Sequence, residues 1–126
     1  MESLLITATD ESPAVEFNLE KNIFSIKGRS LSEDAYAFYS KLIHWIDGLK
    51  NASVSNSIEF HIHLEYFNTA ASKMLLDLIQ KIAEVKASGK NVTVLWYHFE
   101  GDVDMVEAAE ELSELGEIPF TLIPVK

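Results

Sequence analysis

Apolar and polar residues alternate strictly along residues 58–66. Isoleucine, phenylalanine, leucine and tyrosine occupy one side of this segment, and Glu59, His61, His63 and Glu65 occupy the other. A two-residue period is that of a β-strand, and the charged side indicates that one face of the strand meets water. The pattern therefore predicts a strand in a sheet that is covered mainly on one face.

Two longer segments repeat apolar residues at three- and four-residue steps, which is the period of a helix. The first spans about residues 31–50, and Ser30 and Glu33 have capping-box spacing at its start. The second spans about residues 69–87 and ends at Gly89. We expect two amphipathic helices, each with a continuous buried stripe.

The remaining segments complete an α/β pattern. Short strands are expected at 4–9, 15–20, 23–28, 92–98 and 118–125, and a third helix at 102–115. Pro119 and Pro124 place the last strand at a sheet edge. After an antiparallel opening hairpin, the order β-α-β-α-β-α-β with right-handed crossovers makes the later strands parallel. We predict one α/β domain, residues 1–126, with a mixed sheet and helices mainly on one face.

Composition narrows the function classes. The chain has 126 residues, no cysteine and a formal net charge of −10. Without cysteine there are no disulfides, thiolate zinc sites, iron–sulfur clusters or cysteine nucleophiles. A negative field repels nucleic acid and anionic membrane surfaces. The five glycines form no phosphate-binding loop. Because no cationic leader or apolar run of ~18 residues is present, we expect a cytoplasmic protein with no membrane span.

The polar side of the 58–66 strand offers one candidate metal site. His61 and His63 share a face, and Glu59 and Glu65 flank them. A catalytic zinc or iron needs at least three convergent ligands and an open position. The alternative is a solvated face or a surface that docks a partner, and we favour that interpretation over a metal or any cofactor.

Residues 100–117, here called the acidic segment, contain eight acidic residues and no basic one. Asp102 and Asp104 lie where acids stabilise a helix N-terminus through its macrodipole. The segment is typical of a solvated helix face, and divalent-ion binding is a weaker alternative because the glycine and terminal glutamate of a calcium loop are missing. A docking surface for a basic partner is the remaining interpretation.

The junction between the 58–66 strand and the second helix holds a hydroxyl with two possible roles. Asn68 or Thr69 caps the helix by accepting a hydrogen bond from a free backbone N–H. Alternatively Thr69 is phosphorylated, and the dianion lies where free N–H groups and the helix dipole favour negative charge. Local sequence alone favours capping.

A wider resemblance changes this balance. The alternating strands and helices, with a hydroxyl at the head of a helix, resemble the STAS domains of anti-sigma-factor antagonists. Three segments more closely resemble the SiaC family of regulatory phosphoproteins, at matching places along nearly the whole chain: LEYFNTAASKMLLDLI (64–79), VLWYHFEGDVDMVEAAEEL (94–112) and IPFTLI (118–123).

The resemblance implies a non-catalytic, partner-switching protein. A kinase phosphorylates the motif threonine, here Thr69, a PP2C-type phosphatase removes the phosphate, and the unphosphorylated form binds and activates a diguanylate cyclase. Because Ala70 and Ala71 stand where the family often has serines, Ser72 is the rival acceptor. The residues expected to contact partners are Tyr66, Phe67, Asn68, Lys73, Asp102 and Asp104. The alternatives are a metal-dependent enzyme that uses the Glu59/His61/His63/Glu65 face, and a constitutive acidic scaffold.

Overall fold

The computed structural model describes residues 1–54 and 56–126, in which six β-strands form one sheet and three α-helices pack against it. In chain order the elements are β1 (Leu4–Ile6), β2 (Ala14–Asn18), β3 (Ile23–Ser30), α1 (Ala35–Asp47), a 3-10 turn (Gly48–Asn51), β4 (Ile58–Phe67), α2 (Thr69–Ala87), β5 (Val92–Phe99), α3 (Val103–Gly116) and β6 (Phe120–Val125).

The strands lie side by side in chain order, β1 to β6. β1, β2 and β3 pair antiparallel, and β3 to β6 pair parallel through the crossovers that α1, α2 and α3 provide. β6 is an edge strand, as Pro119 and Pro124 predict, because an edge tolerates a residue that cannot donate a ladder hydrogen bond. The α/β prediction with a mixed sheet is confirmed.

The hydrophobic core lies between the helices and one face of the sheet. Phe60 and Ile62 of β4 are fully buried there, as is Trp96 of β5. The residues that alternate with these core residues along β4 point to the opposite face of the sheet, where Glu59 and Glu65 are exposed. The helices thus cover one face, as the 58–66 alternation indicates, and leave an open face on the other side.

The start of α1 differs from the prediction. Ser30 does not cap this helix: it is the last residue of β3, it is buried, and its hydroxyl is 2.8 Å from the Tyr39 hydroxyl. Asp34 is the N-cap instead, and its carboxylate accepts a hydrogen bond from the Ala37 N–H. Burial raises the pKa of Tyr39 to about 12, so the phenol stays protonated and can pair with Ser30. The capping-box prediction is wrong because a buried hydroxyl pair holds Ser30.

The N-termini of α1, α2 and α3 follow the carboxyl ends of β3, β4 and β5, which are parallel. All three therefore lie at one edge of the sheet, the one formed by the carboxyl ends of these strands. Asp34, Asn68 and Asp102 cap them, each accepting a hydrogen bond from the N–H three residues further on. This edge brings together the positively polarised ends of α1, α2 and α3.

The helices in the described part of the chain are too short or too polar to span a membrane.

Candidate functional site

Thr69 is the first residue of α2, directly behind the helix cap. The Asn68 Oδ1 accepts a hydrogen bond of 2.9 Å from the Ala71 N–H, so Asn68 is the cap, and Thr69 is released from that role. The Thr69 side chain is exposed, and its hydroxyl makes no hydrogen bond to the rest of the described chain. It is therefore accessible to another protein.

Asn68 also links this junction, through two hydrogen bonds, to the segment between β3 and α1. Its Nδ2 donates to the Ser32 carbonyl at 3.2 Å, and its backbone N–H donates to the Ser30 carbonyl at 3.0 Å. One side chain and its own backbone thus tie the end of β4 to the segment that leads into α1. Thr69 is consequently presented from a fixed backbone position.

Ser72, the rival acceptor, is placed differently. It is half-buried, and its hydroxyl donates a hydrogen bond of 2.7 Å to the Thr69 carbonyl. Phosphorylation would have to break this bond and bring the hydroxyl out to solvent. Of the two hydroxyls, that of Thr69 is the more accessible.

Three other residues predicted to contact partners lie within four positions of Thr69 along the chain, and they differ in exposure. Tyr66 is 56% exposed although it is a large aromatic residue, and Lys73 is exposed one turn after Thr69. Phe67 is half-buried against Trp96, with ring centroids 6.5 Å apart in an edge-to-face arrangement. Tyr66 and Lys73 are thus available to a partner, whereas Phe67 also belongs to the packing of the domain.

A groove between α2 and α3 was not predicted from the sequence. It has a volume of about 290 Å³ and begins beside Phe67 and Lys73. Leu112 and Leu115 of α3 line its other wall, and Leu115 is 53% exposed. Leu115, an exposed leucine in a helix rich in acidic residues, was the available signal, but only the packing of α3 on α2 makes it part of a groove.

Asp102 and Asp104 have separate roles. The Asp102 carboxylate caps α3 by accepting a hydrogen bond of 3.1 Å from the Met105 N–H, so it has a structural function. Asp104 is exposed in the first turn. The other acids of α3 are exposed as well, which agrees with a solvated face for the acidic segment.

The strand face that carries the histidines is the open face of the sheet. The His61 Nδ1 lies 2.8 Å from the Tyr97 hydroxyl, and its Nε2 lies 3.8 Å from a Glu59 carboxylate oxygen. Within residues 1–54 and 56–126, no three histidine or acidic side chains converge as metal ligands would. The geometry therefore gives the metal-enzyme hypothesis no support.

Known proteins match this chain over nearly its whole length. A model of the SiaC family of regulatory phosphoproteins matches residues 6–125. An uncharacterized protein of Pseudomonas aeruginosa strain UCBPP-PA14 is 26% identical over 122 residues, which are 97% of this chain and 96% of that protein.

Solved structures agree. Apo-SiaC from Pseudomonas aeruginosa has a TM-score of 0.84 at 25% identity, over 98% of this chain and 99% of that one. The complex of the diguanylate cyclase SiaD with its activator SiaC, from the same organism, matches with a TM-score of 0.85 at 25% identity, over 97% and 99%. The nearly complete match to the family, together with the shared fold, shows that this chain belongs to the SiaC family of regulatory phosphoproteins.

Proposed function

We propose that this chain is a non-catalytic partner switch that is controlled by reversible phosphorylation of Thr69. A protein kinase adds the phosphate, a PP2C-type phosphatase removes it, and the unphosphorylated form binds and activates a diguanylate cyclase in the cytoplasm. The observation that carries the proposal is the exposed Thr69 hydroxyl, free of the capping role that Asn68 fulfils. The target class is supported by the Pseudomonas aeruginosa complex, in which SiaC is the activator of a diguanylate cyclase.

The helix terminus accommodates a phosphate on Thr69 without refolding. The first turn of a helix leaves backbone N–H groups without partners inside the helix, and the Asn68 side chain satisfies only one of them, that of Ala71. The remaining N–H groups and the macrodipole favour a negative charge at this position. Phosphorylation therefore changes the surface and not the fold.

The surface around Thr69 is suited to a protein partner. We name it the switch surface and define it by Tyr66, Thr69, Lys73 and the groove between α2 and α3. Its exposed aromatic ring and partly apolar groove are features of the central part of protein interfaces, and Lys73 adds a cation of the kind found at their polar rim. A phosphate at Thr69 would have to be desolvated when a partner covers it, and an unpaired buried charge costs several kcal/mol.

The acidic segment favours one different function. Its exposed acids on α3 suit a constitutive scaffold that docks a basic partner without modification. Such a scaffold would bind its partner equally well before and after phosphorylation, whereas a switch would not.

Mass spectrometry and binding measurements test the proposal. Protein purified from its native host is analysed by intact mass and phosphosite mapping, together with the variants Thr69→Val and Ser72→Ala. We expect one phosphate on the wild type and on Ser72→Ala, and none on Thr69→Val, which keeps the shape of threonine but lacks the hydroxyl. Phosphate on Ser72 of the Thr69→Val protein would contradict the assignment of the acceptor.

The same preparations are then compared as activators. Unphosphorylated protein should bind the host's diguanylate cyclase and raise its activity, and phosphorylated protein should do neither. Equal binding of both forms would favour the scaffold. Elemental analysis of the purified protein addresses the metal hypothesis, because one equivalent of bound zinc, iron or manganese would contradict a purely regulatory role.

A further inference from the structure

The open face of the sheet carries a groove of about 480 Å³ that the proposed switch does not use. It lies across β3, β4, β5 and the end of β6, on the side of the sheet away from the helices. Its volume is within the range of sites that bind small molecules. The side chains that matter for a ligand are Lys27, His61, His63, Tyr97, Phe99 and Lys126.

Two pairs of rings form the wall of this groove. His61 and Tyr97 are stacked, with centroids 5.8 Å apart and planes at 29°, and a contact of 2.8 Å between Nδ1 and the hydroxyl joins them. His63 meets Phe99 edge to face at 5.3 Å. Because all four rings stand on adjacent parallel strands, they form a continuous aromatic surface that favours a planar, apolar ligand ring.

His63 provides a polar group that lacks a partner. Its Nε2 is buried, yet it makes no hydrogen bond within the described chain, although buried polar atoms are nearly always paired. Burial, then the nearby Lys27 and His98, hold the pKa of His63 below its ordinary value, while Glu65 opposes them. The lowered pKa favours the neutral ring, and a negative charge bound near it would raise that pKa again.

The charged side chains that line the groove favour an anion. Among the described lining residues, the charged side chains are Lys27 and Lys126, in a chain whose net charge is −10. Glu59 and Glu65 stand on the same face of β4. Glu65 opposes the lowering of the pKa of His63, and a Glu59 carboxylate oxygen lies 3.8 Å from the His61 Nε2, so both acids are close to the groove. A negative charge in the groove would be attracted by the two lysines and opposed by the glutamates.

We propose that this groove binds a small aromatic carboxylate, with the ring against Tyr97 and Phe99 and the carboxylate beside Lys27. The site lies on the strand that leads directly to Thr69, but it does not depend on phosphorylation or on the cyclase. If the groove does not bind such a carboxylate, the proposed function is unaffected. If the proposed function is wrong, binding in the groove is unaffected.

NMR titration of the ¹⁵N-labelled protein with 1-naphthoate tests the site. We expect saturable shifts in β3, β4, β5 and the end of β6, with a dissociation constant in the millimolar to submillimolar range. The neutral analogue 1-naphthalenemethanol should bind about two- to fivefold more weakly, because it lacks the charge. Bound carboxylate should also raise the pKa of His63, which the imidazole ¹H shifts report directly.

Substitutions test the charged side of the groove and its aromatic wall separately. Lys27→Ala should weaken naphthoate binding about two- to fivefold, the size of an exposed ion pair. His63→Phe keeps the aromatic wall and should bind naphthoate like the wild type, because the buried Nε2 makes no contact with the ligand. The matched control, Lys41→Ala, removes an exposed lysine on α1 and should bind like the wild type.

Three results would overturn the proposal. The first is equal affinity for naphthoate and its neutral analogue, since the carboxylate would then have no partner. The second is shifts on the helical side of the domain, which would place binding elsewhere. The third is unchanged affinity in Lys27→Ala, whose own spectrum reports whether it is folded.

Discussion

Replacement of Thr69 by glutamate should weaken the complex with the target and leave the fold intact. Thr69 is exposed, and its hydroxyl makes no hydrogen bond to other described residues, so replacing it breaks no hydrogen bond of that hydroxyl within the described chain. An exposed anion in the first turn of a helix gains about 0.3–1 kcal/mol from the macrodipole. The melting temperature should therefore rise, by no more than about 5 °C.

The effect on binding is expected to be much larger and opposite in sign. A charge that must be buried without a partner at an interface costs about 2–5 kcal/mol. This corresponds to a loss of affinity of roughly 30-fold at the lower end and more than about a thousandfold at the upper end. Folding and binding should thus respond to the same substitution in opposite directions.

Thr69→Gln is the matched control because glutamine has the length of glutamate without its charge. Melting curves and dissociation constants for the target are measured for wild type, Thr69→Glu, Thr69→Gln and Thr69→Ala. We expect Thr69→Ala to bind like the wild type and Thr69→Gln to lose less affinity than Thr69→Glu. Equal losses for Glu and Gln would refute the electrostatic reasoning, and a fall in melting temperature specific to Glu would show that the charge acts on the fold.

Further predictions concern the supports of the site and its surroundings. Asn68→Ala should lower the free energy of unfolding by about 1–2 kcal/mol, since it removes both the helix cap and the bond to Ser32, and Asn68→Asp should restore most of the cap, as urea denaturation can check. Because the pKa of His63 is lower in the folded protein, the unfolded state binds more protons, so stability should fall as pH drops from ~7 to ~5, and His63→Phe should reduce this slope. If the slope is unchanged in that variant, His63 is not its source. Gly116→Ala should destabilise the domain by about 1–3 kcal/mol in thermal melts, because the added methyl would lie 3.3 Å from the Ile79 Cβ and still closer to its Cγ2. Association with a target should slow as salt increases if the acidic segment steers a basic partner surface, and stopped-flow rates that do not change with salt would leave it only a solubilising role.

The sequence by itself determined the elements and the covered face of the sheet. The alternation from Ile58 to Leu64 indicates which side chains of β4 enter the core, because a strand has an exact two-residue period. Tyr66, on the apolar side of the same pattern, is 56% exposed instead, because the pairing register of β3 with β4 shifts just before it. The periodic apolar stripe of 69–87 gives α2 at the bounds that the structure has, since burial of that stripe is what stabilises the helix. Such signals are local, and each is carried by residues within a few positions of one another.

Contacts between distant segments were decided only by the tertiary structure. Ser30 has the spacing of a cap, but the buried Tyr39 hydroxyl pairs with it, and Asp34 becomes the cap. Thr69 and Asn68 are equivalent candidates in the sequence, and the choice of Asn68 is accompanied by its bond to Ser32, which lies 36 residues away along the chain.

The two grooves have the same origin. The packing of α3 on α2 forms one, and the parallel register of β3 to β6 gathers the rings and lysines of the other. A periodic pattern states which side of an element is buried. It does not state which residues of another element lie opposite, because that depends on how the separate elements pack together.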